Sequence, residues 1–159
     1  MNISIRKAVK SDMSRVRELI VELAVFEKEP NAVNVTVNDL ESYGFGDQPK
    51  FTCFVAEGDL EIVGVALVYE RFSTWEGPVL HLEDLIVQQT NRGMGIGTAL
   101  LDRVVTYGDE LGVNRISWEV LDWNELAIKF YESKGANVKR DWDVVQLNEK
   151  GIKDYIAKL

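Results

Sequence analysis

The sequence predicts an α/β fold of the mixed α+β kind: one central twisted mixed β-sheet with helices on both faces. Two observations lead there. Stretches of alternating and of helical hydrophobicity follow one another in the order β-α-α-β-β-β-α-β-α-β, which is neither a plain βαβ repeat nor an all-β pattern. The chain has 159 residues, of which 46% are hydrophobic, enough for one substantial core. No repeat, low-complexity stretch or Pro/Gly/Ser linker interrupts it. Residues 1–159 are therefore expected to form a single domain.

The elements justify themselves in order. Ile3 and Ile5 alternate with polar residues and suggest a first strand. Ser11 is placed to cap a helix. In that helix Met13, Val16, Leu19, Ile20, Leu23 and Ala24 fall at helical spacing and would pack on the sheet. Pro30 ends it. Val37 to Tyr43 suggests a short second helix, closed by Gly44 and Gly46. Residues 51–57 and 61–71 read as a hairpin turning at Gly58-Asp59. The loop Thr74–Pro78 leads to a strand at 79–88. A glycine-rich turn, Arg92 to Gly97, opens a helix running to about Leu111, with Gly112 as its C′ residue. Arg115 to Leu121 reads as a strand, Asp122 or Asn124 as the cap of a helix ending at Gly135, and Val144 to Leu147 as a late strand before a short terminal helix.

Composition narrows the function. A formal charge of −8 argues against a nucleic-acid binder and suits a cationic substrate. One cysteine, Cys53, excludes an internal disulfide and reads as a small buried hydrophobe. One histidine, His81, and no Cys/His cluster give no reason to expect a metal site. No run reaches the roughly 18 apolar residues of a membrane span, and the N-terminus lacks the apolar stretch of a signal peptide. A cytoplasmic enzyme, free of nucleic acid and membrane, is the expectation.

The turn Arg92-Gly93-Met94-Gly95-Ile96-Gly97-Thr98 follows a strand and opens a helix. Glycines allow positive φ and close approach of the backbone to a ligand. A helix start offers free N–H groups and a positive dipole end, so the segment suits a pyrophosphate. It is not a Walker A loop, because no lysine precedes Thr98. It also fails the dinucleotide fingerprint Gly-x-Gly-x-x-Gly/Ala, whose last position falls on Thr98 or Leu100. What remains is Arg-x-x-Gly-x-Gly.

Two further groups carry chemistry. On the strand at 79–88, simple alternation puts His81, Glu83, Leu85 and Val87 on one face and Leu82, Asp84 and Ile86 on the other. One of the two carboxylates would face a site and the other would make a structural hydrogen bond. Asn124 and Tyr131, about two helical turns apart, share a stripe with the small Ala127 between them. The Tyr131 hydroxyl can donate a proton to a departing thiolate.

His81-Leu82-Glu83-Asp84-Leu85-Ile86-Val87, the Arg92–Gly97 loop, Trp123-Asn124, Phe130-Tyr131 and Gly135-Ala136 occur in an order that resembles the GNAT superfamily of acetyltransferases. Within it they resemble the branch acting on diamines, polyamines and thialysine. Leu23–Glu27, Gly44–Gly46 and Phe54–Glu57 add to the likeness, which spans residues 3 to about 136. The resemblance implies a GNAT-like fold, acetyl-CoA as co-substrate and a small primary amine as acceptor. It implies Tyr131 as the general acid at the coenzyme A thiolate and Glu83 as the residue that binds and deprotonates the amine. Leu85, Ile86 and Val87 would meet the pantetheine arm and acetyl carbonyl. Arg92, Gly93, Met94, Gly95, Ile96, Gly97 and Thr98 would hold the pyrophosphate, and Asn124 and Ala127 would also contact the cofactor. Phe26, Glu27, Trp75, Ser117, Trp118 and Glu119 would line the amine pocket with Glu83. A homodimer is implied as well. Ser73-Thr74-Trp75 lacks the acidic residue that the polyamine enzymes carry before this tryptophan, so the pattern leans to the thialysine relatives. Past Ala136 the chain is shorter than the family pattern, and Asp141 and Asp143 are the candidates for an acidic substrate contact. Two other readings stay open: an acetyltransferase of peptide or protein amines, and a non-catalytic acyl-CoA-binding module.

Overall fold

The computed structural model describes residues 2–159, which divide into two compact units, one ending at Glu119 and one running Val120–Leu159.

The first unit is a five-stranded sheet in the order β1 (Ile3–Lys7), β2 (Thr52–Gly58), β3 (Glu61–Ser73), β4 (Gly77–Val87), β5 (Arg115–Ser117). The first three pairings are antiparallel and β4–β5 is parallel, so the sheet is mixed, as the element order predicts. Helix α1 (Met13–Phe26) and helix α2 (Val37–Phe45) cover one face. There Met13, Val16 and Leu19 of α1 and Leu40 of α2 form a core with Cys53, Val55, Val65 and Ile86. The same cluster buries the Cys53 thiol and pushes its pKa up to about 12, which leaves it a structural hydrophobe. Helix α3 (Ile96–Leu111) covers the other face. The Tyr107 ring meets Phe54 edge-on at 5.2 Å. Gly64 lets α3 sit close: a Cβ there would lie 3.0 Å from Leu100 Cδ1 and 3.1 Å from the Ile86 carbonyl oxygen.

Local chemistry explains where the helices begin. Ser11 does not cap α1. Residues Lys10–Asp12 form a 3₁₀ turn instead, and Asp12 organises it by accepting from the Val9 N–H at 2.8 Å and from Arg6 at 2.7 Å. Helix α2 starts at a capping box, in which Thr36 Oγ1 accepts from the Asp39 N–H and Asp39 accepts from the Thr36 N–H. Gly112 closes α3 in the left-handed conformation.

The strand β4 departs from simple alternation. Val68 pairs with Leu82 and Leu67 with Asp84, so Glu83 is an extra residue opposite no partner: a β-bulge. Before it, His81 pairs with Tyr69 while Leu80 and Leu82 pair with Glu70 and Val68. After it, Asp84 and Ile86 pair with Leu67 and Val65, on the α1 face. The bulge thus reverses the parity of the strand. His81 shares the α1 face with Asp84 and Ile86, whereas Leu85 and Val87 turn toward α3, where Val87 Cγ2 lies 3.7 Å from a Cβ built on Gly97. The expected alternation through His81, Glu83, Leu85 and Val87 is corrected accordingly.

The strand expected over Arg115–Leu121 stops at Ser117, because β4 pairs with it only through Val79, Leu80 and His81. Among the described residues no strand pairs with that edge of β4 from Leu82 onward.

The second unit holds α4 (Glu125–Ser133) and α5 (Glu149–Ile156). Asn124 caps α4, its side-chain oxygen accepting from the Ala127 N–H at 3.3 Å. Asn148 caps α5 in the same way, from the Gly151 N–H at 2.8 Å. Ion pairs Lys150–Asp154 and Lys153–Glu149 run along α5. The strand expected at Val144–Leu147 does not form: the segment has no regular structure and Val145 is 91% exposed. Alternation without a neighbouring strand has nothing to pair with. Among the described residues no helix is long and apolar enough to cross a membrane.

Candidate active site

Three local arrangements gather the predicted residues. The first is the start of α3. Gly93 and Gly95 both sit at φ +79°, a conformation that strains any side chain. Space is not the reason, since a Cβ on either would meet nothing within 4 Å. Gly95 is the N-cap residue of α3, and no side chain caps that helix. Its first-turn N–H groups, from Ile96 to Thr98, are therefore left to an external acceptor, with the positive end of a 16-residue helix behind them. Arg92 is tethered beside them. Its Nε donates to the Val87 carbonyl oxygen at 3.0 Å, and its guanidinium stacks 5.0 Å from the Phe26 ring centroid. Loop, end of β4 and end of α1 are thereby tied together. Met94 is exposed on the turn.

The second arrangement is the bulged strand. With β5 parting from β4 after His81, the backbone groups of Leu85, Ile86 and Val87 that do not face β3, apart from the Val87 carbonyl taken by Arg92, are open to a ligand that adds along the edge. A pantetheine arm has amide groups suited to such an edge. Glycine turn, uncapped helix and open edge together fit a nucleotide-linked thioester.

The third is a group of carboxylates. Sequence alternation separates Glu83 from Asp84, but the bulge brings them into electrostatic contact. Burial, then Glu83 and then Glu27 push the Asp84 carboxyl up to about 6. Burial also raises the Glu27 carboxyl above its usual range. The Glu83 carboxylate accepts from the Tyr69 hydroxyl, and His81 Nε2 lies 3.7 Å from its Oε2. Such a set attracts a cation and can accept its proton.

Other predicted residues lie as follows. Ser117, the last residue of β5, reaches His81 Nδ1 with its hydroxyl at 3.1 Å. Glu119 is near enough for its charge to act on His81 and Tyr69. Trp118, between them, is half-buried. Trp75 sits at the tip of the β3–β4 hairpin, 81% exposed, with the Ser73 hydroxyl accepting from its N–H. At about 3.3 Å per residue, roughly 20 Å of strand separates that tip from Glu83. In the second unit Tyr131 is buried on α4, its ring 5.4 Å from Phe130, and Asn124 and Ala127 are joined by the cap. A cavity of about 420 Å³ near Thr52, Leu80 and Tyr107 contains none of the predicted residues.

Sequence reasoning passed over Tyr69, Arg71 and the environment of His81. Tyr69 and Arg71 lie on β3 opposite His81 and Val79, a pairing that only the strand register discloses.

Residues 14–136 match the acetyltransferase (GNAT) family. A mouse protein, thialysine N-epsilon-acetyltransferase, is 38% identical over 83% of this chain and 82% of its own length. The chain belongs to the GNAT acetyltransferase family. A human relative, spermidine/spermine N(1)-acetyltransferase-like protein 1, is 35% identical over 94% of this chain but only 23% of its own length. Among solved structures, an integron cassette protein of V. cholerae superposes with a TM-score of 0.79 at 22% identity, covering 98% of both chains, which shows the common fold. As a GNAT acetyltransferase the protein is an N-acetyltransferase with acetyl-CoA as its acyl donor. The glycine turn, uncapped α3 and open edge of β4 are the features of this chain that suit that donor.

Proposed function

We propose that this N-acetyltransferase acts on the primary amine of a small molecule of the thialysine, lysine-analogue or diamine kind. The observation that carries the reading is the group formed by Glu27, Glu83 and Asp84 at the bulge, beside the open edge of β4. The 38% identity to a thialysine acetyltransferase supports it.

Acetyl-CoA supplies an acetyl group activated as a thioester. The chain's own residues do the rest. Gly93 to Thr98 and Arg92 hold the pyrophosphate by backbone N–H groups and charge. The edge of β4 at Leu85, Ile86 and Val87 holds the pantetheine arm, and an N–H there faces the carbonyl oxygen as negative charge develops on it. Asn124 and Ala127, at the start of α4, complete the cofactor contacts. Glu83 binds the ammonium and takes a proton from it, so that the nitrogen lone pair can attack the thioester carbonyl. Asp84, Glu27 and Glu119 add negative charge that favours the cation. Phe26, Ser117 and Trp118 supply the remaining amine contacts, whereas Trp75, with roughly 20 Å of strand between the hairpin tip and Glu83, lies too far away to meet a small amine held there. Tyr131 gives its phenolic proton to the departing sulfur. Residues 1–159 are proposed to act as one acetyltransferase domain. We also propose a homodimer. Its support is the apolar surface of the second unit, where Trp142, Leu147, Ile152, Tyr155 and Ile156 are all more than half exposed. A sedimentation mass of one chain at micromolar concentration would refute that.

The substrate is tested by measuring thiol release from acetyl-CoA with thialysine, lysine, spermidine, putrescine and a short peptide. The expected result is the highest kcat/KM with thialysine or a diamine. Release with the peptide alone would favour a peptide acetyltransferase, and no release with any acceptor would favour an acyl-CoA-binding module.

A further inference from the structure

His81 lies at the fork of the sheet. It is the last β4 residue paired with β5, opposite Ser117, and it stands two residues before the bulge. It is 5% exposed, with the Tyr69 ring 5.1 Å away. Its Nδ1 lies 3.0 Å from Arg71 Nη1 and 3.1 Å from Ser117 Oγ. A guanidinium has only N–H donors, so Nδ1 must be the acceptor. A neutral imidazole that accepts at Nδ1 carries its proton on Nε2. That nitrogen is the one directed at Glu83 Oε2, 3.7 Å away.

The same arrangement makes His81 a poor proton acceptor. Protonation would set an Nδ1–H against the Arg71 N–H. Burial, then Arg71, hold its pKa below the usual histidine range, against the opposing pull of Glu83 and Glu119. A neutral donor with a fixed tautomer, aimed at a half-exposed carboxylate that also accepts from the Tyr69 hydroxyl, is suited to orient that carboxylate. The 3.7 Å separation is longer than a hydrogen bond, and catalytic hydrogen bonds are often long in the absence of substrate and tighten when it binds.

We propose that His81 is the positioning residue for Glu83: its Nε2–H, fixed by Arg71 and Ser117 at the other ring nitrogen, holds the Glu83 carboxylate in the orientation that receives the amine proton. The proposal rests on the role given to Glu83 above. It divides the labour at the bulge between Glu83, which meets the amine, and a neighbour that never does.

Two measurements test it. His81 is the only histidine in the sequence, so ¹⁵N NMR of the imidazole reads its state in the intact protein. The expected spectrum at neutral pH is that of a neutral ring protonated at Nε2; an Nδ1–H tautomer or an imidazolium would overturn the proposal. The second is steady-state kinetics of H81N, H81Q, E83Q and the double variant H81N/E83Q. Asparagine keeps a polar group where Nδ1 stood and offers Glu83 no donor, whereas glutamine can place an N–H where Nε2 stood. Loss of a hydrogen bond to a charged group predicts that H81N lowers kcat/KM for the amine about tenfold, with the KM for acetyl-CoA unchanged. H81Q should stay within about threefold of the parent, and H81N should add no further loss to E83Q. Equal losses in H81N and H81Q, or an additive loss in the double variant, would make His81 a packing residue. An impaired E83Q beside an unimpaired H81N sinks this proposal alone, whereas a fully active E83Q sinks the role of Glu83 and this proposal with it.

Discussion

Asp84 shows how far one residue's surroundings can alter its chemistry. Adjacent carboxylates on a regular strand would point apart, but the extra residue at Glu83 brings both into one electrostatic environment. Burial is the larger cause of the raised Asp84 pKa, and Glu83 and Glu27 add to it. Its folded-state value of about 6 lies above the ordinary 3.8, so the folded state binds this proton more tightly than the unfolded chain does. Stability from this group is therefore fully present below about pH 4 and is lost as the pH rises to 6. Asp84→Asn should raise unfolding stability at pH 7 by on the order of 2 kcal/mol and by far less at pH 4. Urea denaturation at the two pH values checks this, and an equal gain at both would mean that the side chain is not held at a raised pKa.

Among the elements, α3 and β4 do most to shape the site. The glycine turn was legible in the sequence because its chemistry is local: positive φ at Gly93 and Gly95 and the missing cap are properties of a short run of residues. The cap of α4, for which Asn124 was one of two candidates, and Gly112 after α3 were legible for the same reason, whereas the Thr36–Asp39 capping box of α2 was not read. The bulge was not, since His81–Val87 reads as an unbroken strand and the extra residue is defined only against β3. Val144–Leu147 failed in the opposite sense, with a strand pattern and no strand beside it. At Gly95 the conformational demand predicts that Gly95→Ala costs about 1 kcal/mol of stability from strain at positive φ. The same change should weaken acetyl-CoA binding several-fold by moving the first-turn N–H groups. Calorimetric titration with acetyl-CoA reads the second effect, and unaltered affinity would remove this turn from the cofactor site.

On the scale of the whole molecule, the sequence conveyed the mixed sheet and its two helical faces, because hydrophobic period and element order determine layer architecture. Its acidity suits a cationic acceptor at long range, as the carboxylates at the bulge do at short range. The proposed chemistry gives the amine proton to Glu83 and the protonation of the sulfur to Tyr131. This division of roles is the central claim, and Tyr131→Phe tests it most directly, because the change removes one oxygen from a buried ring and leaves its packing in place. Turnover with acetyl-CoA and the best amine should fall at least about tenfold, as expected for loss of a general acid, while acetyl-CoA affinity by calorimetry stays unchanged. Unchanged turnover in a folded Tyr131→Phe protein would contradict the account and assign the proton to another donor.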